Sequence, residues 1–228
     1  MLNEIHLRNE LTSRLASPWY QWMFDNLNAT RTATSDKRAH QKAGVPYSPA
    51  SVAAEVAKAV AHSHMVQTAE IVELSGPLQL YRAHDGGKNT RRGTVNSSSA
   101  GTLGLCWVNR VLIYNLWIAF KDYPLEERKR YFWENLRSST LVLEKWNAMT
   151  HMVCMQVPDG NKVLVLQGAG DWKAMLPKKG VIEKGLKDQL SGMATDPPLQ
   201  FIVPVFKQTW VYPVEEGTPG WPLYPQKR

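Results

Sequence analysis

Three positions in this chain combine a chemically useful side chain with a setting that would hold it still. Arg82 closes the β-leaning run Leu78-Gln79-Leu80-Tyr81-Arg82. A guanidinium on a rigid strand presents a planar fork that matches phosphate or ribose oxygens. Just beyond, His84 and Asp85 either reach a ribose or base or simply form a His-Asp-Gly-Gly turn. Trp107, in Gly104-Leu105-Cys106-Trp107, offers either an aromatic wall for a ligand or mass for the core. Gln200, in Leu199-Gln200-Phe201, supplies a hydrogen-bond acceptor without charge.

Other chemistries lose ground. The chain holds no Walker-type phosphate loop, no G-x-G-x-x-G, no H-E-x-x-H and no G-x-S-x-G. His62 and His64 are two apart, about 200° around a helix axis, so they do not form a helical metal clamp. Cys106 and Cys154 belong to no C-x-x-C pair and read as small buried apolar residues. No metal site is expected.

Charge points toward phosphates. Lys+Arg 27 against Asp+Glu 20 gives +7 over 228 residues and a pI near 9.4, which favours nucleic acid or a dinucleotide without choosing between them. Nine tryptophans serve core mass first and base stacking second. The longest apolar stretch, 108–120, is well short of the roughly 20 residues that cross a bilayer, and Asn109, Arg110 and Asn115 interrupt it. No membrane span is expected. Glu4, His6, Arg8 and Glu10 precede any apolar run, unlike a secretory signal, so the expected address is the cytoplasm of the producing or a host cell.

These side chains need elements to hold them. Residues 1–70 read as an N-terminal helical region: Leu2, Ile5, Leu11 and Leu15 have rough helical spacing, and Ser17-Pro18 and Ser48-Pro49 are cap signals. Between the helices, residues 28–46 form a basic linker in which Arg31, Lys37, Arg38 and Lys42 face only Asp36. From about residue 71 the pattern turns to strand, first in Ile71-Val72-Glu73-Leu74. A polar, Gly-rich passage, 85–104, reads as a loop over a cleft, followed by a helix to Phe120 and a charged helix from Pro124 to about Leu136. The apolar runs 152–157 and 162–166 flank Pro158-Asp159-Gly160-Asn161, which predicts a hairpin. A short basic helix within 178–190 and late strands at 201–206 and 210–212, the first carrying Pro204, complete the pattern before a Pro-rich tail. The expected class is α+β, with a mainly antiparallel core.

Taken in order, the strand ending Tyr81-Arg82, the Gly-rich loop, Trp107 entering a helix, the paired apolar runs and the late Gln200-Phe201-Ile202-Val203-Pro204 strand resemble the ADP-ribosyltransferase fold over about 79–214. The resemblance implies an NAD-dependent mono-ADP-ribosyltransferase or NAD glycohydrolase acting on a macromolecular target. By it Arg82 anchors NAD, Tyr81, His84, Trp107 and Ser139 line the cofactor site, and Gln200 takes the catalytic position. Two departures stand out: Val108 follows the tryptophan where Ser or Thr is usual, and Gln200 replaces a glutamate. Two unit charges about 4 Å apart at an effective dielectric near 20 interact by about 4 kcal/mol, or about a thousandfold in rate. A glutamine therefore implies a slow enzyme, a target-dependent one or a binding-only relative, and Gln200→Glu is expected to raise NAD cleavage. The alternatives are a non-catalytic nucleotide- or protein-binding relative of that fold, and a nucleic-acid-binding protein using the basic linker with Lys88, Arg91 and Arg92.

Overall fold

A computed structural model describes residues 4–29, 46–61, 69–84, 107–140, 149, 151–170 and 198–214. Nearly all of the basic linker, the 85–104 passage, His62, His64, Asp85, Cys106, the 178–190 segment and the tail beyond 214 lie outside the described residues.

Helices α1 (Glu4–Leu15) and α2 (Pro18–Ala29) meet at the Ser17-Pro18 signal, where Tyr20 N donates to Ser17 O at 2.9 Å. At α3 (Pro49–Ala61) the cap is reciprocal: Ser51 N donates to Ser48 Oγ at 3.2 Å and Ser48 N to Ser51 Oγ at 2.9 Å. Both ends of the basic linker are pinned together, since Tyr47 N donates to Asn28 Oδ1 (2.7 Å) while Asn28 Nδ2 donates to Tyr47 O (3.0 Å). What reads in sequence as a linker is thus closed at its base.

Strands β1 (Glu70–Ser75) and β2 (Leu78–His84) are separated by Gly76-Pro77. β3 (Val108–Asn109) leads into α4 (Arg110–Ala119), capped by Asn109 Oδ1 accepting from Leu112 N at 2.9 Å. α5 (Leu125–Thr140) follows, then β4 (His151–Val157), β5 (Lys162–Ala169), β6 (Leu199–Ile202) and, after a short 3-10 turn, β7 (Val211–Val214). The described chain is α+β with antiparallel pairing throughout: β1-β5-β6 in one sheet and β3-β2-β4-β7 in the other.

One expectation is corrected. The segments 152–157 and 162–166 do not form a hairpin with each other; β4 pairs with β2 and β5 with β1. Residues 70–84 and 151–169 are instead two long partners bent at one corner, where Pro158 to Asn161 lie opposite Gly76-Pro77. Gly76 N donates to Asn161 O across it at 2.7 Å. The tight turn that the sequence signals is present, with Gly160 at φ 70°, but it redirects a strand from one sheet into the other.

Strand alternation separates two cores. Leu80, Val153, Met155 and Val157 share a core with Trp107, Phe201, the β5 run Val163 to Leu166 and the N-terminal helices. From the other face, Tyr81, Met152, Cys154, Val108 and Val214 pack on Ile113, Trp117, Phe132 and Leu136 of α4 and α5. Middle strands covered on both faces require continuous apolar runs, which β4 and β5 have. The change near residue 70 is one of secondary-structure type, because the first core runs across it. An ionic tie adds to this: Tyr20 Oη donates to Glu73 Oε2 at 2.7 Å, and Lys162 Nζ lies 2.8 Å from Glu73 Oε1. Burial pushes the Glu73 carboxyl up, but the hydrogen bonds from Lys162 and Tyr20 outweigh it and hold it below the usual range.

Candidate functional site

Residues directly opposite in an antiparallel ladder place their side chains on the same face. Arg82 is opposite Val153, and His84 opposite His151. Across β3, Leu80 pairs with Asn109 and Tyr81 with Val108, so the next rung of that register sets Trp107 beside Arg82. Trp107 also forms an isolated bridge to Phe201, with Trp107 N donating to Phe201 O and Phe201 N to Trp107 O, both at 2.8 Å. That rung links the two sheets and puts Trp107, Phe201, Arg82, His84 and His151 on one shared inner face.

Burial grades along this face. Trp107 is wholly buried and Arg82 is 6% exposed, whereas His84 is half-buried and His151 exposed. The indole of Trp107 meets Phe206 edge-on at 6.0 Å, and its Nε1 has no hydrogen-bond acceptor among the described residues. A buried donor without an acceptor costs about 1–3 kcal/mol and calls for an explanation. At the solvent end, the His84 and His151 rings stack with centroids 5.4 Å apart and 24° between planes. Side chains that carry N–H donors thus recur along one face, Trp107 and Arg82 on a buried rung and His84 and His151 at the strand end, a set of groups that suits an acceptor-rich ligand.

The other sequence candidates fall elsewhere. Gln200 pairs with Gly168 and precedes Phe201 in β6, so alternation turns it to the face opposite Trp107. Continuing the bridge register, it belongs to the rung of Val108, and through Val108 to Tyr81. Gln200 is fully buried. Tyr81 is buried too, its side chain in the second core. Its hydroxyl is raised, first by burial and then by the Cys154 thiol beside it; Tyr81 Oη lies 3.3 Å from Gln79 Oε1. Cys154 sits between Tyr81 and Tyr212 in one rung, and burial pushes its thiol up, which leaves it protonated and inert. Ser139 lies in the last turn of α5, a helix that packs on the second core, so Ser138-Ser139-Thr140 ends a helix and supplies no strand to the site.

Strand alternation therefore divides the candidates: Arg82, His84 and Trp107 share one face of β2 and β3, Tyr81 stands on the other, and Gln200 is turned from Trp107 in β6, where Ile202 on its own face still packs in the first core. His151 joins the first group unannounced, since its place there depends on the β2–β4 register. Among the described residues no three His, Cys, Asp or Glu side chains are grouped to hold a metal ion, and no helix is long and apolar enough to cross a membrane. Compared with models of known families, with curated proteins and with solved structures, the chain matches none.

Proposed function

We propose that this chain is a nucleotide-binding module that takes NAD, or a relative bearing the same ADP-ribose diphosphate, on the inner face around Arg82. The observation that supports it is the placement of Arg82, an arginine 6% exposed on a central strand, next in register to Trp107 with its buried indole N–H. A planar fork held by a strand fits phosphate oxygens with little ordering cost on binding. The basic net charge favours the same class of ligand. Of the two readings that the ADP-ribosyltransferase resemblance implies, the parity of Gln200 favours binding without rapid chemistry, since its side chain belongs to the face away from Arg82.

Titration calorimetry of the full chain with NAD and ADP-ribose tests this, together with an assay of nicotinamide release. Binding is expected, with Arg82→Ala weakening it at least about tenfold through loss of a charged hydrogen-bond donor, while nicotinamide release stays near the uncatalysed rate. Rapid release would restore the transferase reading, and absence of binding to either ligand would remove the proposal.

A further inference from the structure

From Val111 to Phe120 the chain carries no charged side chain, yet of the ten residues of α4 only Ile113 and Trp117 are buried, both in the second core. On the side away from that core, Val111 is 63% and Tyr114 44% exposed, with Asn115 and Ala119 exposed beside them. A helix this apolar all round is normally covered on every side. The turn after α4 continues the strip: Phe120, Tyr123 and Tyr131 form one aromatic cluster with ring centroids 5.1 to 6.0 Å apart, and Tyr123 and Leu125 are about half exposed. Next to it α5 turns Glu126, Glu127 and Arg130 to solvent, which gives the uncharged strip a polar border. Half-exposure of four large side chains amounts to about 400 Å², the size at which a patch on a monomer is often functional.

The charges around the strip select its occupant. A strongly charged partner finds nothing to pair with along it. A second copy of this chain meets it with the same uncharged surface, and despite +7 on each molecule brings no like charges together there. The ends add direction, since Arg110 opens α4 and Asp122 follows its last turn. Two copies laid antiparallel and crossing at Tyr114 and Asn115 bring each Arg110 to the C-terminal turn of the other, where the helix dipole is negative and Asp122 is within reach of a long side chain. Lys121 beside Asp122 offsets part of that attraction, and the dipole adds to it. A parallel pair would instead set Arg110 against Arg110.

We propose that α4 is the contact helix of a twofold dimer of this chain, packed antiparallel on its own copy with Tyr114 at the centre. The strip lies on the face of the sheet away from Arg82, so the dimer goes beyond the nucleotide-binding reading and does not depend on it. Its apolar area is about half of the roughly 800 Å² per partner of a standard interface, which predicts a reversible, micromolar dimer.

The test is sedimentation velocity of the full chain over about 1 to 200 µM, a range that brackets a micromolar dissociation constant, with thermal melts to confirm that each variant folds. Wild type is expected to pass from monomer to dimer. Tyr114→Lys and Val111→Glu should each weaken association at least about tenfold and leave the melts at low concentration unchanged, because both side chains are exposed. Arg110→Glu and Asp122→Arg should each weaken it by setting like charges together at both ends. An equimolar mixture of those two variants should dimerise again, since only the mixed pair has opposite charges at both ends. Wild type that stays monomeric throughout would overturn the proposal, as would a dimer indifferent to Tyr114→Lys, which would place the interface elsewhere. Association lost in Tyr114→Lys but not recovered in the mixture would overturn the antiparallel pairing. Monomeric wild type that binds vesicles of neutral phosphatidylcholine, with Tyr114→Lys failing to bind, would also overturn it and give the strip to a lipid surface.

Discussion

Trp107 and Phe201 exchange both backbone hydrogen bonds, each 2.8 Å long, and this one rung joins two sheets that otherwise meet at the Gly76-Pro77 corner. The Trp107 side chain fills the core beneath it, wholly buried and edge-on to Phe206. Trp107→Ala should cost about 3–5 kcal/mol in urea unfolding, the usual result of emptying a large aromatic site. Trp107→Phe should cost less, because the apolar contact survives. Equal stability of Trp107→Ala and wild type would show that the indole does not contribute to the core, since the backbone rung survives the substitution.

The corner makes a stricter demand. A Cβ built on Gly76 collides with the backbone carbonyl of Pro158, and backbone, unlike a side-chain tip, has no rotamer to move to. Gly76→Ala should therefore destabilise by about 1–3 kcal/mol or more, whereas Gly160→Ala meets nothing within 4 Å and pays only for its positive φ. Comparing the two urea midpoints separates a clash from a backbone preference.

Burial revises the expectation for Gln200→Glu. A carboxyl at a wholly buried position is pushed toward its neutral form by desolvation, so at neutral pH it would add little of the charge that a transferase needs. The variant should lose stability as pH rises from the ordinary glutamate range, because the unfolded chain ionises before the buried group does, and should not gain nicotinamide release. A rise in release without loss of stability would mean that the carboxylate reaches the ligand.

Glu55, half-buried on α3, carries the clearest pH signature: burial raises its carboxyl to about 7. Below the ordinary glutamate range the group is protonated in both folded and unfolded chains. Between there and about pH 7 the unfolded chain ionises first, so this group lowers stability as pH rises, and the loss levels off above about 7. Discounted for partial solvent access, the effect is about 1–2 kcal/mol. Glu55→Gln should recover it at pH 8 and change nothing at pH 4, as read from thermal melts at the two pH values.

The N-terminal helices were legible because their signals are local: Ser17-Pro18 and Ser48-Pro49 mark helix starts through side chains and bonds a few residues apart. The runs at 152–157 and 162–166 were legible as strands for the same reason, since continuous apolar stretches suit strands covered on both faces. Which strands they join was not. A tight Pro-Asp-Gly-Asn turn serves a hairpin or a corner equally well, and only the competing partners β1 and β2, which already pair along the same length, turn it into a corner. The candidate site shows the same division. Residue type marked Arg82, Trp107 and Gln200, but the face each occupies depends on rung parity across strands far apart in the chain, and a shift of one residue reverses it. The tertiary register alone placed Trp107 beside Arg82, turned Gln200 away and brought His151 onto His84, because cross-strand pairing is a long-range choice that no local propensity encodes.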